Sequence, residues 1–225
     1  MTDTRRLWKV LAAIMVLSFG TLLYLGREIY LTAPPVPAAV KTTSGQTLFT
    51  RDDIQTGREV WQSVGGQQLG SVWGHGGYVA PDWSADWLHR EATGLLELWA
   101  TREHGRSFDA LDAGQQAALK ARLQVEMRTN TYDPQTGEVV VSDDRAFVIA
   151  QVAEHYDALF GSDLGLNTLR SQYAMKQNTV PDPARREALT KFFFWTAWST
   201  TTNRPGDDVT YTSNWPSEPL VGNKP

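Results

Sequence analysis

Apolar positions divide the chain into one unbroken run and several periodic segments. The unbroken run covers residues 10–26, which carry no charge and meet the lower length limit for a helix that crosses a bilayer. Aromatic side chains flank the run on both sides, as is typical of membrane–water interfaces. We therefore predict a transmembrane anchor helix over residues 7–31. A cleaved signal peptide is the competing interpretation, but its apolar region is normally shorter.

The charges around the apolar run predict its orientation. Three basic residues precede the run, whereas Arg27 and Glu28 cancel each other after it. The positive-inside rule then places residues 1–6 in the cytoplasm. Everything after the anchor is expected in the periplasm or its equivalent.

The segment "TAPPVPAAV" (residues 32–40) is rich in proline and predicts a stiff, extended linker. Beyond it, residues 41–225 show apolar positions at helical spacing, which predict a mainly α domain. Each predicted helix follows a residue that can cap its first turn. The caps and helices are Thr50 for 51–64, Asp82 for 83–104, Asp112 for 113–129, Ser142 for 143–160 and Asp182 for 183–202.

Two short segments break the helical pattern. Residues 41–49, "KTTSGQTLF", predict a hairpin around Ser44 and Gly45, and residues 132–141, "YDPQTGEVVV", predict a turn followed by a strand. The fold class is therefore mainly α with one or two short β-hairpins. The last helix contains "FFFWTAWS" (residues 192–199), which is apolar on all sides. Such a helix is either buried in a core or docked against a membrane or another subunit.

Composition narrows the chemistry. The chain has 225 residues and no cysteine, which excludes disulfides, thiolate metal sites and covalent attachment of a c-type haem. The formal net charge of −4 gives no support for a nucleic-acid partner.

Candidate catalytic residues are few. The four histidines form no H-x-x-x-H pair, so the sequence does not favour a zinc or di-iron site, and those on predicted helices are expected at the helix surface. The paired aspartates lie where helices begin or loops turn, so capping and turn formation account for them. There is no nucleophile elbow and no P-loop. The histidines are His75, His89, His104 and His155, and the aspartate pairs are 52/53, 143/144 and 207/208.

The glycine-rich loop at residues 65–83, "GGQQLGSVWGHGGYVAPDW", is unusual because large rings alternate with glycines. Together with its flanks it forms the block "VWQSVGGQQLGSVWGHGGYVAPDWSADWLHREA". A second block, "YTSNWPSEPLVGNKP", ends the chain. Both blocks closely resemble the N-terminal region of quinol-dependent nitric oxide reductases.

The resemblance implies a function for the protein to which this region belongs. Members of that family reduce two nitric oxide molecules to nitrous oxide and water with electrons from quinol, in the bacterial inner membrane. An anchor helix and a periplasmic domain precede a membrane bundle of the haem–copper oxidase type. That bundle contains haem b, high-spin haem b3 and a non-haem iron. The implied partners are the bundle, the lipid bilayer and, through the bundle, quinol.

The resemblance also implies a cytochrome-c-like, haem-free extracytoplasmic domain. The related cytochrome subunits share a G-x-G-x-Y-x-A-P loop, which "GHGGYVAP" (residues 74–81) matches. Because the cysteines of the haem site are absent, we expect Trp61, Trp73 and their neighbours to fill the volume of the lost haem. An empty cavity of that size would cost several kcal/mol.

In the related enzymes this loop presses on the membrane-embedded partner and helps bind a calcium ion that bridges haem propionates. By motif position, the ligands here would be the carbonyl of Gly76 and the side chain of Tyr78. Glycines allow a carbonyl to approach a cation closely, and calcium prefers oxygen ligands. The alternative is a loop that packs only within its own domain.

The haem and iron ligands of the family are expected beyond Pro225, so we expect this chain to be part of an enzyme and to bind no haem by itself. The alternative from another functional class is a membrane-anchored periplasmic binding or scaffold module with no enzyme partner.

Overall fold

The computed structural model describes residues 4–74 and 80–224. The chain divides into two compact units, residues 1–35 and residues 36–225.

The first unit is a single helix, α1 (Thr4–Thr32). It is long and apolar enough to cross a membrane, and none of its residues is buried. An apolar surface with no protein cover needs an apolar environment, which a bilayer supplies. This confirms the predicted candidate membrane helix, which begins three residues earlier and ends one residue later than the 7–31 span.

The second unit is mainly helical, as predicted. The cap prediction is confirmed at all five helices: the side chain of each capping residue accepts a hydrogen bond from a backbone N–H of the first helical turn. The helices are α2 (Arg51–Ser63), α3 (Trp83–His104), α4 (Ala113–Arg128), α5 (Asp143–Phe160), α6 (Asn167–Gln172) and α7 (Pro183–Thr201). The short helix α6 has no side-chain cap, and the sequence did not predict it.

Four short strands form one mixed sheet: β1 (Ala39–Thr42), β2 (Thr47–Thr50), β3 (Tyr132–Asp133) and β4 (Glu138–Val141). The order is β2-β1-β4-β3, so the two hairpins join through a parallel pairing of β1 with β4. Strand β1 begins at Ala39, inside the segment 32–40 that the sequence predicts as a linker. Its residue Val40 lies opposite Phe49 on one side and Val139 on the other, and all three side chains are buried.

Helix α7 is the central element of the domain. It packs along α2 and contacts α3 and α5, and residues 192–201 are all buried. The helix containing "FFFWTAWS" is therefore a core helix of this domain. Close packing with α2 depends on Gly57, because a Cβ atom there would overlap the backbone carbonyl of Ala188. The small residue lets the two helices approach.

Candidate functional site

The glycine-rich loop leaves the end of α2 and returns at the start of α3, and the structure describes both of its ends. Residues 66–68 form a short 3₁₀ turn, and Ser71 pairs with Asp82 in an isolated bridge. The intervening residues 75–79, which include His75 and the predicted calcium ligands Gly76 and Tyr78, lie outside the described residues. Calcium binding by Gly76 and Tyr78 therefore stays a prediction.

The two ends of the loop are fastened to each other by Ser71 and Asp82. The backbone N–H of Ser71 donates to the carbonyl of Pro81 (3.0 Å), and the N–H of Trp83 donates to the carbonyl of Ser71 (2.8 Å). The sequence predicts Asp82 only as a helix cap, and it does accept from the N–H of Ala85 (3.0 Å). Its other carboxylate oxygen accepts from the Ser71 hydroxyl (2.7 Å) and from the N–H of Gly74 (2.8 Å). One carboxylate thus caps α3 and closes the loop.

Two tryptophans attach the loop to the rest of the domain. The indole N–H of Trp61 donates to the carbonyl of Gly70 at 3.0 Å. The indole N–H of Trp73 lies 2.9 Å from the hydroxyl of Ser199 and 3.1 Å from the carbonyl of Thr196, both on α7. Because each ring also packs against an aromatic ring of α7, each combines apolar contact with a directed hydrogen bond.

Glycines in the described part of the loop allow close contact with other rings. A Cβ atom at Gly70 would overlap the indole of Trp83. Gly74 has φ of +74°, and a Cβ atom there would lie 2.9 Å from the indole of Trp215. The alternation of glycine and tryptophan in the sequence therefore has a packing explanation: rings fill the space and glycines let the backbone pass them.

The C-terminal segment, residues 211–224, contacts both the glycine-rich loop and helix α3. Besides the contact between Gly74 and Trp215, the ring nitrogen Nδ1 of His89 lies 2.8 Å from a carboxylate oxygen of Glu218. Glu218 also pairs with Asn223 in an isolated bridge, which closes a small turn over residues 219–222. The two sequence blocks that carry the family resemblance, far apart along the chain, are therefore neighbours in the fold.

The remaining histidines occupy different environments. His89 and His104 lie at the surface, as predicted. The prediction of a surface position is wrong for His155, which is half-buried beside the ring of Tyr156. Burial lowers the pKa of His155 and the nearby Arg90 lowers it further, against the opposing effect of Asp86. Across residues 4–74 and 80–224, no group of three or more His, Cys, Asp or Glu side chains could hold a metal ion.

Two polar clusters in the core were missed by the sequence analysis. In the first, the guanidinium of Arg145 donates to Glu91 at 2.6 Å, and the indole N–H of Trp87 donates to the other carboxylate oxygen at 2.9 Å. Both members of this ion pair are buried, at 3% and 0% side-chain exposure. The spacing of Trp87 and Glu91 by one helical turn was the only local signal for this cluster.

The second cluster surrounds Asp86 on α3. The hydroxyls of Tyr156 (2.6 Å) and Tyr173 (2.8 Å) donate to opposite oxygens of its carboxylate, and Arg90 donates to it from the next helical turn at 2.8 Å. Burial raises the pKa of Asp86, but these hydrogen bonds and the charge of Arg90 outweigh burial and lower the pKa overall. Burial and the same carboxylate raise the pKa of both tyrosines, so the phenols stay protonated.

The aspartate pairs have structural roles, but only some of these are the local roles that the sequence predicts: Asp143 and Asp144 lie in the first turn of α5 and also make long-range contacts. Asp53 forms a reciprocal capping box with Thr50. Asp143 accepts from the Ser44 hydroxyl at 2.8 Å, and Asp144 accepts from the indole N–H of Trp99 at 2.9 Å. The carboxylate of Asp207 accepts from the next two backbone N–H groups in a turn.

Aromatic rings fill the interior of the domain. The largest fully buried side chains include Trp83, Trp87, Trp99 and Trp198, whereas Trp61 is 8% exposed and Trp73 is half-buried. No cysteine is present for covalent haem attachment. The role of Trp61 and Trp73 in replacing a haem stays a prediction.

A mainly helical domain with an aromatic core and no cysteine for covalent haem attachment, preceded in the chain by a helix that can cross a membrane, defines a membrane-anchored module of the cytochrome-like helical class. The family model for the cytochrome c-like domain of the nitric oxide reductase protein NorB matches residues 37–217, and the chain belongs to this family. The comparison with curated protein sequences gave no match. The family and the apolar helix together identify the chain as the N-terminal part of a NorB-type nitric oxide reductase and indicate a membrane-anchored protein.

Proposed function

We propose that this chain is the anchor and extracytoplasmic domain of a quinol-dependent nitric oxide reductase, and that its glycine-rich loop roofs the metal centres of the catalytic membrane bundle. The complete enzyme would convert two nitric oxide molecules, two electrons and two protons into nitrous oxide and water. Haem b, haem b3 and non-haem iron in the bundle would supply the redox chemistry. The proposal rests on the contacts that join the two sequence blocks: Gly74 of the loop lies against the Trp215 ring, and His89 of α3 lies against Glu218.

The contacts of the loop support a role in positioning rather than in chemistry. The Asp82 carboxylate, the Ser71 backbone and the Trp73 indole fix both ends of the loop to the body of the domain. A loop with fixed ends loses little additional conformational entropy when it docks. Residues 75–79 would then be presented to the bundle, where the Gly76 carbonyl and the Tyr78 side chain would complete a calcium site.

The proposed partners follow from this arrangement. The bundle, in the same chain or as a separate subunit, would contact the loop, and the bilayer would hold α1. The domain would lie in the periplasm and the N-terminus in the cytoplasm, as the positive charges before the apolar run favour.

Protease digestion of spheroplasts tests this topology: digestion of the domain without lysis is expected, and protection until lysis would contradict it.

Electron-donor specificity tests the central proposal. The complete reductase, purified through a tag on this chain, is expected to show haem absorbance and to consume nitric oxide with a reduced quinol. A purified protein without haem would favour the scaffold alternative. Turnover with reduced cytochrome c but not with quinol would overturn the quinol assignment while leaving the family intact.

The calcium site has its own test in the complete enzyme. Tyr78→Phe is expected to reduce the calcium retained after dialysis and to shift the haem reduction potentials. Tyr30→Phe is the matched control, because Tyr30 is an exposed residue of α1. Unchanged calcium content and unchanged potentials in Tyr78→Phe would remove Tyr78 from the site.

A further inference from the structure

An unbroken series of ring contacts connects the glycine-rich loop to the polar cluster around Asp86. Successive ring centroids in the series are 6.0 Å apart or closer, and both ends of the series are only partly buried. The centroid distances are 5.3 Å for Trp73–Trp195, 6.0 Å for Trp195–Phe192, 6.0 Å for Phe192–Phe193, 5.4 Å for Phe193–Trp83 and 5.9 Å for Trp83–Tyr173. A second contact of 5.9 Å joins Trp83 to Tyr156.

We propose that the tryptophans and tyrosines of this series form a one-electron relay that carries oxidising equivalents from the loop to the tyrosine pair at Asp86, and so protects the protein from oxidants made from nitric oxide. Phe192 and Phe193 are not oxidised; they form the packed bridge across which an electron passes from Trp83 to Trp195 in one step. The relevant oxidant class is nitrogen dioxide, which forms when nitric oxide meets dioxygen. It takes one electron from an indole and leaves as nitrite. The relay is separate from turnover and is a property of this chain alone.

Trp83 is suited to pass an electron vacancy on rather than to keep it. Its ring is fully buried, and its indole N–H has no hydrogen-bond partner within the described ranges. An oxidised Trp83 therefore has no hydrogen-bonded acceptor for its proton among residues 4–74 and 80–224, and it stays a radical cation. A buried, uncompensated positive charge is unfavourable, so an electron from a neighbouring donor is accepted readily.

The tyrosine pair is suited to be the donor. A phenol gives up an electron most easily when its proton can move at the same time to a positioned base. The Asp86 carboxylate accepts hydrogen bonds from Tyr156 at 2.6 Å and from Tyr173 at 2.8 Å. In the transfer, the phenol gives its electron to the Trp83 radical cation and its proton to Asp86. The products are neutral Trp83, a phenoxyl radical and a protonated carboxyl group.

The partial exposure of Tyr173 allows its radical to be reduced by a molecule from solution. Tyr156 is buried, whereas Tyr173 is half-buried. A soluble thiolate can therefore give an electron to a Tyr173 phenoxyl radical and become a thiyl radical, and the phenol regains its proton from Asp86. The relay is then ready for another cycle, and the damage that a lasting radical would cause is avoided.

The chain contains an internal comparison. Trp198 and Tyr211 are also in ring contact, with centroids 5.6 Å apart. The Tyr211 hydroxyl, however, accepts a hydrogen bond from the Asn130 amide at 3.0 Å. An amide donor cannot take up a phenolic proton, so this pair is expected to transfer slowly.

Pulse radiolysis of the full chain in detergent tests the relay. Azidyl radicals oxidise indoles, and the indolyl and phenoxyl radicals have separate absorption bands. A Trp8→Phe background removes the exposed indole of α1. In this background the indolyl band is expected to decay while the phenoxyl band rises, at a rate independent of protein concentration. Absence of this coupled phase would overturn the proposal.

Three variants locate the end of the relay. Tyr156→Phe/Tyr173→Phe keeps both rings and is expected to abolish the coupled phase, whereas Tyr211→Phe is expected to leave it unchanged. Asp86→Asn is expected to slow it by about 100-fold, the lower end of what a positioned base contributes. If the double variant keeps the phase, or if Tyr211→Phe removes it, the assignment to the Asp86 pair is wrong. The double variant retains the Asp86–Arg90 pair, so it tests the relay even if Asp86→Asn fails to fold.

Discussion

The indole N–H of Trp73 reaches the hydroxyl of Ser199, 126 positions later in the chain, at a distance of 2.9 Å. This contact ties the glycine-rich loop to the buried C-terminal half of α7. It makes the position of the loop dependent on the core of the domain rather than on the local sequence alone.

Removing this tie is expected to loosen the loop without unfolding the domain. Trp73→Phe keeps an aromatic ring but removes the N–H donor, while the Thr196 carbonyl still accepts from Ser199. We expect a loss of about 1 to 2 kcal/mol in the free energy of unfolding, measured with urea, because a net hydrogen bond contributes about 1 kcal/mol. Trp8→Phe in α1 is the control and is expected to leave the domain transition unchanged. An equally stable Trp73→Phe would show that the hydrogen bond is not a support of the loop.

We expect that substitution of Gly70 is limited by the lack of space for a side chain and not by the backbone conformation. Gly70→Ala places a Cβ atom against the buried indole of Trp83, and overpacking of this kind costs about 1 to 3 kcal/mol. Gly105→Ala is the matched comparison, because Gly105 has φ of +66° but open space around it. It is expected to cost about 1 kcal/mol through backbone strain alone. Near-ultraviolet circular dichroism should change only for Gly70→Ala, since only that variant displaces a buried indole. A Gly105→Ala variant less stable than Gly70→Ala would contradict this explanation.

Removing one partner of the buried ion pair between Glu91 and Arg145 is expected to lower the free energy of unfolding more than replacing both partners with apolar residues does. Glu91→Gln leaves the Arg145 charge uncompensated at 3% exposure and is expected to cost about 3 kcal/mol or more. The double variant Glu91→Met/Arg145→Met removes both charges and should recover much of that loss, less the cost of leaving the Trp87 N–H without its acceptor. Urea unfolding of both variants gives the comparison. A double variant as unstable as Glu91→Gln would mean that the pair itself, rather than an unpaired charge, dominates the stability.

His155 is expected to make the domain sensitive to mild acid. Burial and Arg90 lower its pKa in the folded state below the ordinary value of 6.5. The unfolded chain therefore takes up a proton at a higher pH than the folded chain does. The stabilising effect of keeping His155 neutral is complete above pH 6.5 and is lost as the pH falls toward the folded-state pKa.

The measurement is the free energy of unfolding between pH 8 and pH 5 for the native chain and for His155→Gln. The decline toward pH 5 should be shallower in the variant. His104→Gln, the same substitution at an exposed histidine, is the control. Parallel curves for the native chain and His155→Gln would exclude His155 as the source.

The helices were predictable because their signals are local. A capping side chain and the N–H group that it binds are two or three residues apart, so Thr50, Asp82, Asp112, Ser142 and Asp182 marked the helix starts. The second function of Asp82, which closes the loop, was hidden because its partners Ser71 and Gly74 lie across the turn of the loop.

Long-range polar contacts could not be predicted in the same way. Arg145 meets Glu91 from 54 positions away, and Tyr173 meets Asp86 from 87 positions away. In the sequence these residues are typical of solvated helix faces. Only the packing of α3 against α5 and its contact with the residue that follows α6 turn them inward, and a single sequence does not contain that information. The parallel pairing of β1 with β4 escaped notice for the same reason, because its two strands lie in different hairpins.

That pairing has a mechanical consequence. Only residues 33–38 separate the end of α1 from β1, and β1 is an interior strand held by β2 on one side and β4 on the other. Tension on the chain between the two units would therefore reach a strand that is hydrogen-bonded on both sides. The attachment point of the first unit is secured within the sheet rather than at a fraying terminus.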